Sequence, residues 1–162
     1  LLVGKTERGV CAVHIRPTDA ELREQLQREY PLAQIVEEED DICSWVKAIL
    51  SHIDGTQPHL ELPLDVQATA FQLNVWQALR AIPYGETRTY ASIARSLGKP
   101  QAASAVAKAI DANPLLVVIP CHRTETEEGE PSHYYTSQGK ETRRRLRENE
   151  QEIIHRSANN PA

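Results

Sequence analysis

Between Thr69 and Pro114 the chain repeats a start signal, an apolar stripe and a stop signal three times, which commits it to three short helices that each bury one face. Thr69-Ala70-Phe71-Gln72 has the form of a capping box. Phe71, Val75, Leu79 and Ile82 follow at helical intervals, and Pro83 closes the segment. After the turn Tyr84-Gly85-Glu86, a second helix is predicted from about Thr89 to Leu97, burying Ala91, Ile93, Ala94 and Leu97. Gly98 then stands where a left-handed cap is needed. The spacing predicts a third helix from Lys99-Pro100, with Ala102, Ala105, Val106, Ala109 and Ile110 on its buried face and Asn113-Pro114 at its end. Two short helices joined by a glycine-containing turn, the second edged with small residues, form a helix-turn-helix signature. Alone, that signature fits ordinary helical hairpins equally well.

The flanking segments have a different character. Gly9 to Ile15 is β-rich, Thr18 to Glu29 suits a polar helix with Leu22 and Leu26 inward, and Pro31 stops it. Leu32 to Val36 is predicted as a short strand. The acidic run Glu37 to Asp41 precedes a helical pattern over Ile42, Trp45, Val46, Ile49 and Leu50, where carboxylates suit the helix start. Gly55 to Pro63 reads as a linker. Thr124 to Ser137 reads as a polar loop carrying Glu125, Glu127, Glu128 and Glu130, and Lys140 to Ile154 as a terminal helix. The expected architecture is an α/β N-terminal domain with its linker (1–63). A mainly α-helical, winged-helix-like domain (64–156) and a frayed tail (157–162) follow.

Charge and cysteine usage bound the function classes. The chain of 162 residues carries a net charge of −5. Between Phe71 and Arg123, however, the cations Arg80, Arg88, Arg95, Lys99, Lys108 and Arg123 outnumber Glu86 and Asp111. A local basic surface is what phosphate contact requires, because screening limits its reach to about 8–10 Å. Cys11, Cys43 and Cys121 cannot pair completely and show no CxxC spacing, which favours a reducing compartment, cytoplasmic or nuclear. Together with His14, His52, His59 and His122 they lack metal-ligand spacing, so no metal is expected. No apolar stretch reaches the ~20 residues of a membrane span, and no signal-peptide pattern is present. Leu1 in place of an initiator methionine suggests a fragment or a processed chain.

The chemistry concentrates in Ile119-Pro120-Cys121-His122-Arg123. Only the thiolate of a cysteine is a strong nucleophile, and a free thiol ionises near pH ~8.5. A neighbouring imidazole can take the proton, directly or through water, and a nearby guanidinium favours the anion. The plainer reading is a buried structural cysteine that adjoins a histidine. The helices immediately upstream argue against it.

The stretch Phe71 to Arg123 resembles the catalytic domain of the O6-alkylguanine-DNA alkyltransferases, of the bacterial Ada type. The PCHR motif, the YGE turn, the TYxxIA helix and the GxPxAAxAV helix occur in the family's order and spacing. "TERGVCAVHI" and the Trp45 helix are similar to its N-terminal domain. The resemblance implies repair of double-stranded DNA by irreversible transfer of an alkyl group from O6-alkylguanine, and from O4-alkylthymine, to Cys121, by a monomer without cofactor. A base inside a duplex must be flipped out to be reached. The resemblance makes Cys121 the nucleophile, His122 its base, Tyr90 the residue that aids flipping and protonates guanine, and Asn113 a hinge. It implies DNA contacts at Tyr90, Arg95, Lys99, Gln101, Ala102, Ser104, Ala105, Lys108 and Arg123, and a pocket formed by Tyr134 (Tyr135 in another register), Val118 and Cys121. A glutamate on the terminal helix orients the histidine: ungapped spacing gives Glu148, and a shift of one or two residues gives Arg147 or Glu150. Two departures stand out. Ser104 occupies the place of the family's arginine finger, and the glycine-rich segment after PCHR is replaced by "TETEEGEPSHYYTSQGK". Three other readings fit the sequence less well. An alkyltransferase-like sensor of damage lacks the nucleophile that Cys121 supplies. A cysteine hydrolase needs an oxyanion hole for which no motif is evident, and a plain helix-turn-helix regulator leaves PCHR unexplained.

Overall fold

The computed structural model describes residues 1–37, 44–129 and 137–159, without the side chains of Ser137 and Gln138. Strands β1 (Leu2–Lys5) and β2 (Val10–His14) form an antiparallel hairpin in which Val3 pairs with Val13, with a bulge at Gly4/Lys5. All five residues of β2 are buried. Its second edge is taken by two distant segments. Val10 bonds to Pro63 O and Asp65 N, and Val13 to Pro114 O and Leu116 N, at 2.8–3.2 Å. Parallel bridges Val10–Leu64 and Val13–Leu115 result. This occupied edge explains why Leu32 to Val36 is not the expected strand. The chain leaves helix α1 (Asp19–Glu29) in a turn, with Ala33 N donating to Tyr30 O, and Leu32 and Val36 lie exposed.

Helix α2 (Ser44–Ile53) follows residues 38–43, so most of the acidic run expected at its start lies outside the described residues, as does Cys43. Thr69 caps α3 (Ala70–Arg80) in the predicted capping box with Gln72. The two-residue strand β3 (Arg88–Thr89) leads into α4 (Tyr90–Ser96), capped by Thr89. Gly98 takes φ 70°, and Lys99 N reaches back to Ala94 O, closing α4 through a left-handed residue. Helix α5 spans Ala103–Asp111, three residues later than its predicted start, because Pro100 and Gln101 form a turn in which Ala102 N donates to Lys99 O. Its inward face is Val106, Ala107, Ala109 and Ile110, whereas Ala105 is exposed. After a 3-10 turn at Cys121–Arg123, strand β4 (Thr124–Glu125) pairs in parallel with β3. Helix α6 (Ser137–Asn159) carries helical order through Ser157, where a frayed tail was expected; residues 160–162 lie outside the described residues. Among the described residues no helix is long and apolar enough to cross a membrane.

A small cluster of Cys11, Ala12 and Leu26 lies between the hairpin and α1, and one larger core runs through the rest. Val10, Val13 and Ile49 pack with Val75, Leu79, Ile93, Val106, Ile110, Leu115, Ile119 and Leu146, so the hairpin, α2 and the later helices share buried surface. The buried Trp76 indole donates to Ala109 O at 2.8 Å, occupying a carbonyl of the last turn of α5, where helix carbonyls lack intrahelical partners. Trp76→Phe keeps the ring and strands that buried carbonyl, a loss of about 1–3 kcal/mol. Urea denaturation should show a lower midpoint at an unchanged slope.

Candidate active site

The site begins with a backbone that has little freedom. Asn113, just past α5, folds its side chain over the following turn. Its Oδ1 accepts from Leu115 N (2.8 Å), and its Nδ2 donates to Ile119 O (3.0 Å) and more weakly to Leu115 O (3.4 Å). Ile119 N returns to Leu115 O at 2.9 Å. Within this turn Val117 adopts φ 75°, a left-handed conformation that a β-branched residue adopts only under external constraint. The turn delivers Pro120 and then Cys121, whose amide donates to Ile119 O (2.7 Å) and whose carbonyl accepts from Thr124 Oγ1 (2.7 Å). The five apolar residues before the motif thus form a tight buried turn bridged to β2.

Cys121, His122 and Arg123 are each at most 5% exposed. His122 Nε2 lies 2.7 Å from Glu150 Oε1 on α6. The Arg123 fork grips the same carboxylate, through Nε to both oxygens (3.1 and 3.0 Å) and through Nη2 to Oε1 (2.9 Å). Gly85 N donates to Glu150 Oε2 at 2.8 Å. Gly85 has φ +78°, a left-handed conformation that favours glycine, and the tip of the Ile154 side chain lies where a Cβ would stand. Burial alone would raise the Glu150 carboxyl, but the hydrogen bonds from His122 and Arg123 outweigh it and hold it at about 2. Burial pushes His122 below the usual imidazole range, against the opposite pull of Glu150.

These contacts fix the histidine's tautomer. An ionised carboxylate only accepts, so Nε2 carries the proton and Nδ1 the lone pair. Nδ1 is buried and makes no hydrogen bond among the described residues. A neutral imidazole with a bare nitrogen, next in sequence to a thiol, is equipped to take up a proton.

Two expected residues fall elsewhere. Glu148 is about half exposed and pairs with Arg144 at 2.7 Å, away from His122. Leu146 marks the inward stripe of α6. Position 150, one turn on, shares that face, whereas position 148 is rotated by about 200°. Arg123 was expected on the DNA surface, but its charge is spent inside. Besides Glu150, it donates to Ile82 O (2.8 Å) and to His52 Nε2 (3.2 Å), and Tyr84 covers its face at 5.2 Å. In the sequence Tyr84 has only a place in the YGE turn and His52 only a place among histidines without metal-ligand spacing, and neither has a role at this site.

The remaining positions divide by exposure. Arg95, Lys99, Gln101, Ser104, Ala105 and Lys108 are exposed and Ala102 is half-buried, along α4, α5 and their connecting turn. Lys99 also sits over the Phe71 ring at 5.6 Å. Tyr90 is buried at the first position of α4, Val118 is buried in the Asn113 turn, and Tyr134 and Tyr135 lie outside the described residues.

This geometry can be set beside known proteins. The family model described as the DNA binding domain of 6-O-methylguanine DNA methyltransferase matches residues 70–152. The bifunctional transcriptional activator/DNA repair enzyme Ada of Escherichia coli is 42% identical over 133 residues, 82% of this chain and 38% of that protein. The inducible methylated-DNA–protein-cysteine methyltransferase of Bacillus subtilis is 38% identical over 114 residues, 70% of this chain and 64% of its own length. The chain thus spans less than two thirds of either relative. The crystal structure of Mycobacterium tuberculosis OGT in complex with DNA has a TM-score of 0.75 at 27% identity, covering 93% of this chain and 85% of that one. The matched residues include the thiol, the imidazole and the carboxylate described above. The chain belongs to the 6-O-methylguanine DNA methyltransferase family.

Proposed function

We propose that this protein repairs DNA by moving an alkyl group from O6-alkylguanine, and from O4-alkylthymine, onto Cys121. The observation that carries the proposal is the buried, neutral His122. Its Nε2 proton is committed to Glu150, and its Nδ1 is bare. In this reading His122 Nδ1 takes the Cys121 proton, directly or through a water. The thiolate forms a sulfur–carbon bond as the carbon–O6 bond breaks. The guanine leaves with the electron pair and takes a proton, a role the resemblance gives to Tyr90. A thioether is not reversed by this machinery, so each molecule reacts once. Asn113 holds the reactive turn, and Val118 with Tyr134 completes the base pocket. The relatives' names and the DNA complex of the mycobacterial neighbour support the reading.

The DNA-binding face we assign to α4 and α5, used as a helix-turn-helix. Arg95, Lys99, Gln101, Ala102, Ser104, Ala105 and Lys108 lie along it, with Tyr90 beneath at the start of α4. Arg123 is not part of it, since its guanidinium is enclosed. The partner is double-stranded DNA carrying the alkylated base, bound by a monomer in a reducing, intracellular compartment.

Incubation with an oligonucleotide containing O6-methylguanine should add one methyl group to the intact mass, mapped to Cys121, and Cys121→Ala should gain none. Repeated turnover, or a label on Cys11 or Cys43, would rule the proposal out. His122→Ala should slow alkylation about 10²–10⁴-fold, the range for a positioned base. Because burial holds His122 below its ordinary range, the wild-type rate should persist as pH falls past ~6.5, the unperturbed imidazole value, and decline only below it. A rate that His122→Ala leaves unchanged at every pH would reduce His122 to a packing residue. At Ser104 a short side chain stands where the family carries its arginine finger. Flipping costs a few kcal/mol of unstacking, so Ser104→Arg should speed repair of duplex DNA. It should leave the reaction with free O6-benzylguanine, which needs no flipping, essentially unchanged. Equal acceleration of both would show that the position does not act on the duplex.

A further inference from the structure

The hydrogen-bond chain does not stop at Arg123. It continues into α2, from the part of the chain before the family match. His52, at the C-terminal end of α2, is 5% exposed. Its Nδ1 lies 2.8 Å from Gln57 O. A carbonyl only accepts, so Nδ1 carries the proton and Nε2 is bare. The bare Nε2 lies 3.2 Å from Arg123 Nη2, a group that only donates. The two buried histidines therefore hold opposite tautomers at the two ends of one chain. It runs from Gln57 O through His52, Arg123 and Glu150 to His122.

The surroundings of His52 hold it to this role. Gln57 N donates to Ser51 O (3.0 Å), and Gly55 N to His52 O (3.3 Å), so the accepting carbonyl is set by the loop that closes α2. The Tyr84 ring meets His52 edge-on at 5.3 Å while its face covers the Arg123 guanidinium at 5.2 Å, so one ring packs against both groups. Asn149 Nδ2 donates to Ile53 O at 2.6 Å, tying the end of α2 to α6 one residue before Glu150.

We propose that His52 is a positioning residue for the alkyl transfer, whose bare Nε2 anchors the Arg123 guanidinium and thereby aligns Glu150 with His122. The proposal rests on the function given above for Cys121. The Nη2 proton facing His52 is buried; without an acceptor it is left unsatisfied, and the guanidinium can regain a partner only by rotating off the Glu150 carboxylate. A proton on Nε2 is worse than a missing acceptor, because it sets a second donor and a second positive charge against Arg123. The charged and titratable groups facing His52 are Arg123 and His122 from the 3-10 turn, Glu150 from α6 and Tyr84 from its turn. Burial, aided by Arg123, keeps His52 below the ordinary imidazole range, against the pull of the Gln57 carbonyl and Glu150. Acidification therefore disables the site by two protons, one on His122 and one on His52.

Nitrogen-15 NMR of the unreacted protein tests this without reference to activity. His52 should show the Nδ1-protonated tautomer and His122 the Nε2-protonated one. His52→Leu should shift the His122 nitrogens and its titration, while the circular dichroism spectrum stays native. Alkylation by free O6-benzylguanine gives the second reading. The wild-type acid limb should fall with two protons, and His52→Gln, which offers an amide oxygen but does not titrate, with one. His52→Leu should lose about 10- to 100-fold at alkaline pH, as expected for a misplaced catalytic group, and His52→Gln should restore most of it. An Nε2-protonated His52, or His122 resonances indifferent to His52→Leu, would overturn the proposal even if the alkyl transfer proceeds. A wild-type protein that is never alkylated would instead remove the functional reading, with the tautomers and the His122 shift still deciding whether His52 aligns the pair. Should His52→Leu unfold, His52→Gln alone decides through the number of protons on its acid limb.

Discussion

A single carboxylate holds the site together. Glu150 accepts from a buried imidazole, from two nitrogens of a buried guanidinium and from a half-buried backbone amide. Burying an ion is costly unless it is paired and its lone pairs are filled, and here they are filled from two segments remote from α6. The arrangement therefore contributes specificity more than raw stability. Removing any one donor leaves a charge in a low-dielectric interior, so the 3-10 turn, the Tyr84 turn and α6 have one mutually satisfactory placement. The imidazole's basic nitrogen is a by-product of that arrangement, since every other polar atom of the group has already been assigned.

The reactive turn is restrained from the other side by β2. Two backbone bonds to Val13 and three from the Asn113 side chain meet on residues 113–119. They hold Val117 in a conformation that costs on the order of 1–2 kcal/mol for an L-residue with a Cβ. Cys121 therefore sits at the end of a turn shaped from outside, and its position is a tertiary property. Propensity within the motif does not set it.

Much of this was legible in the sequence where local physics decides. The capping box at Thr69 and the left-handed Gly98 are signals a few residues long, and each lies where its spacing indicated; the helices expected from Thr18 and from Thr89 begin there. Sequence reading failed where the decisive partner is remote. Leu32 to Val36 has strand composition but found the edge of β2 taken by residues 63–65 and 114–116. One miss was local: Pro100 suits a first helical position, yet the turn from Lys99 delays α5 to Ala103. Arg123 reads as a phosphate ligand until a carboxylate 27 residues away claims it. The choice between Glu148 and Glu150 was available from helical phase, since Leu146 and Ile153 define the inward stripe, but counting from the cysteine does not use phase. Nothing local marked His52, because its importance lies entirely in what faces it.

The family signature begins at Ala70, but the chain of contacts that shapes the thiol's neighbourhood does not. It is anchored at Val13 in the hairpin and at Gln57 beyond α2. The recognisable module and the mechanical module are thus different objects with different boundaries. A chimera spliced at the edge of the signature would inherit every residue by which the family is known. It would also exchange the two supports that hold those residues in register. Compatibility between front and rear halves from different relatives is then governed by whether a donor strand offers its edge and a donor helix offers a bare nitrogen, a criterion that percentage identity does not measure.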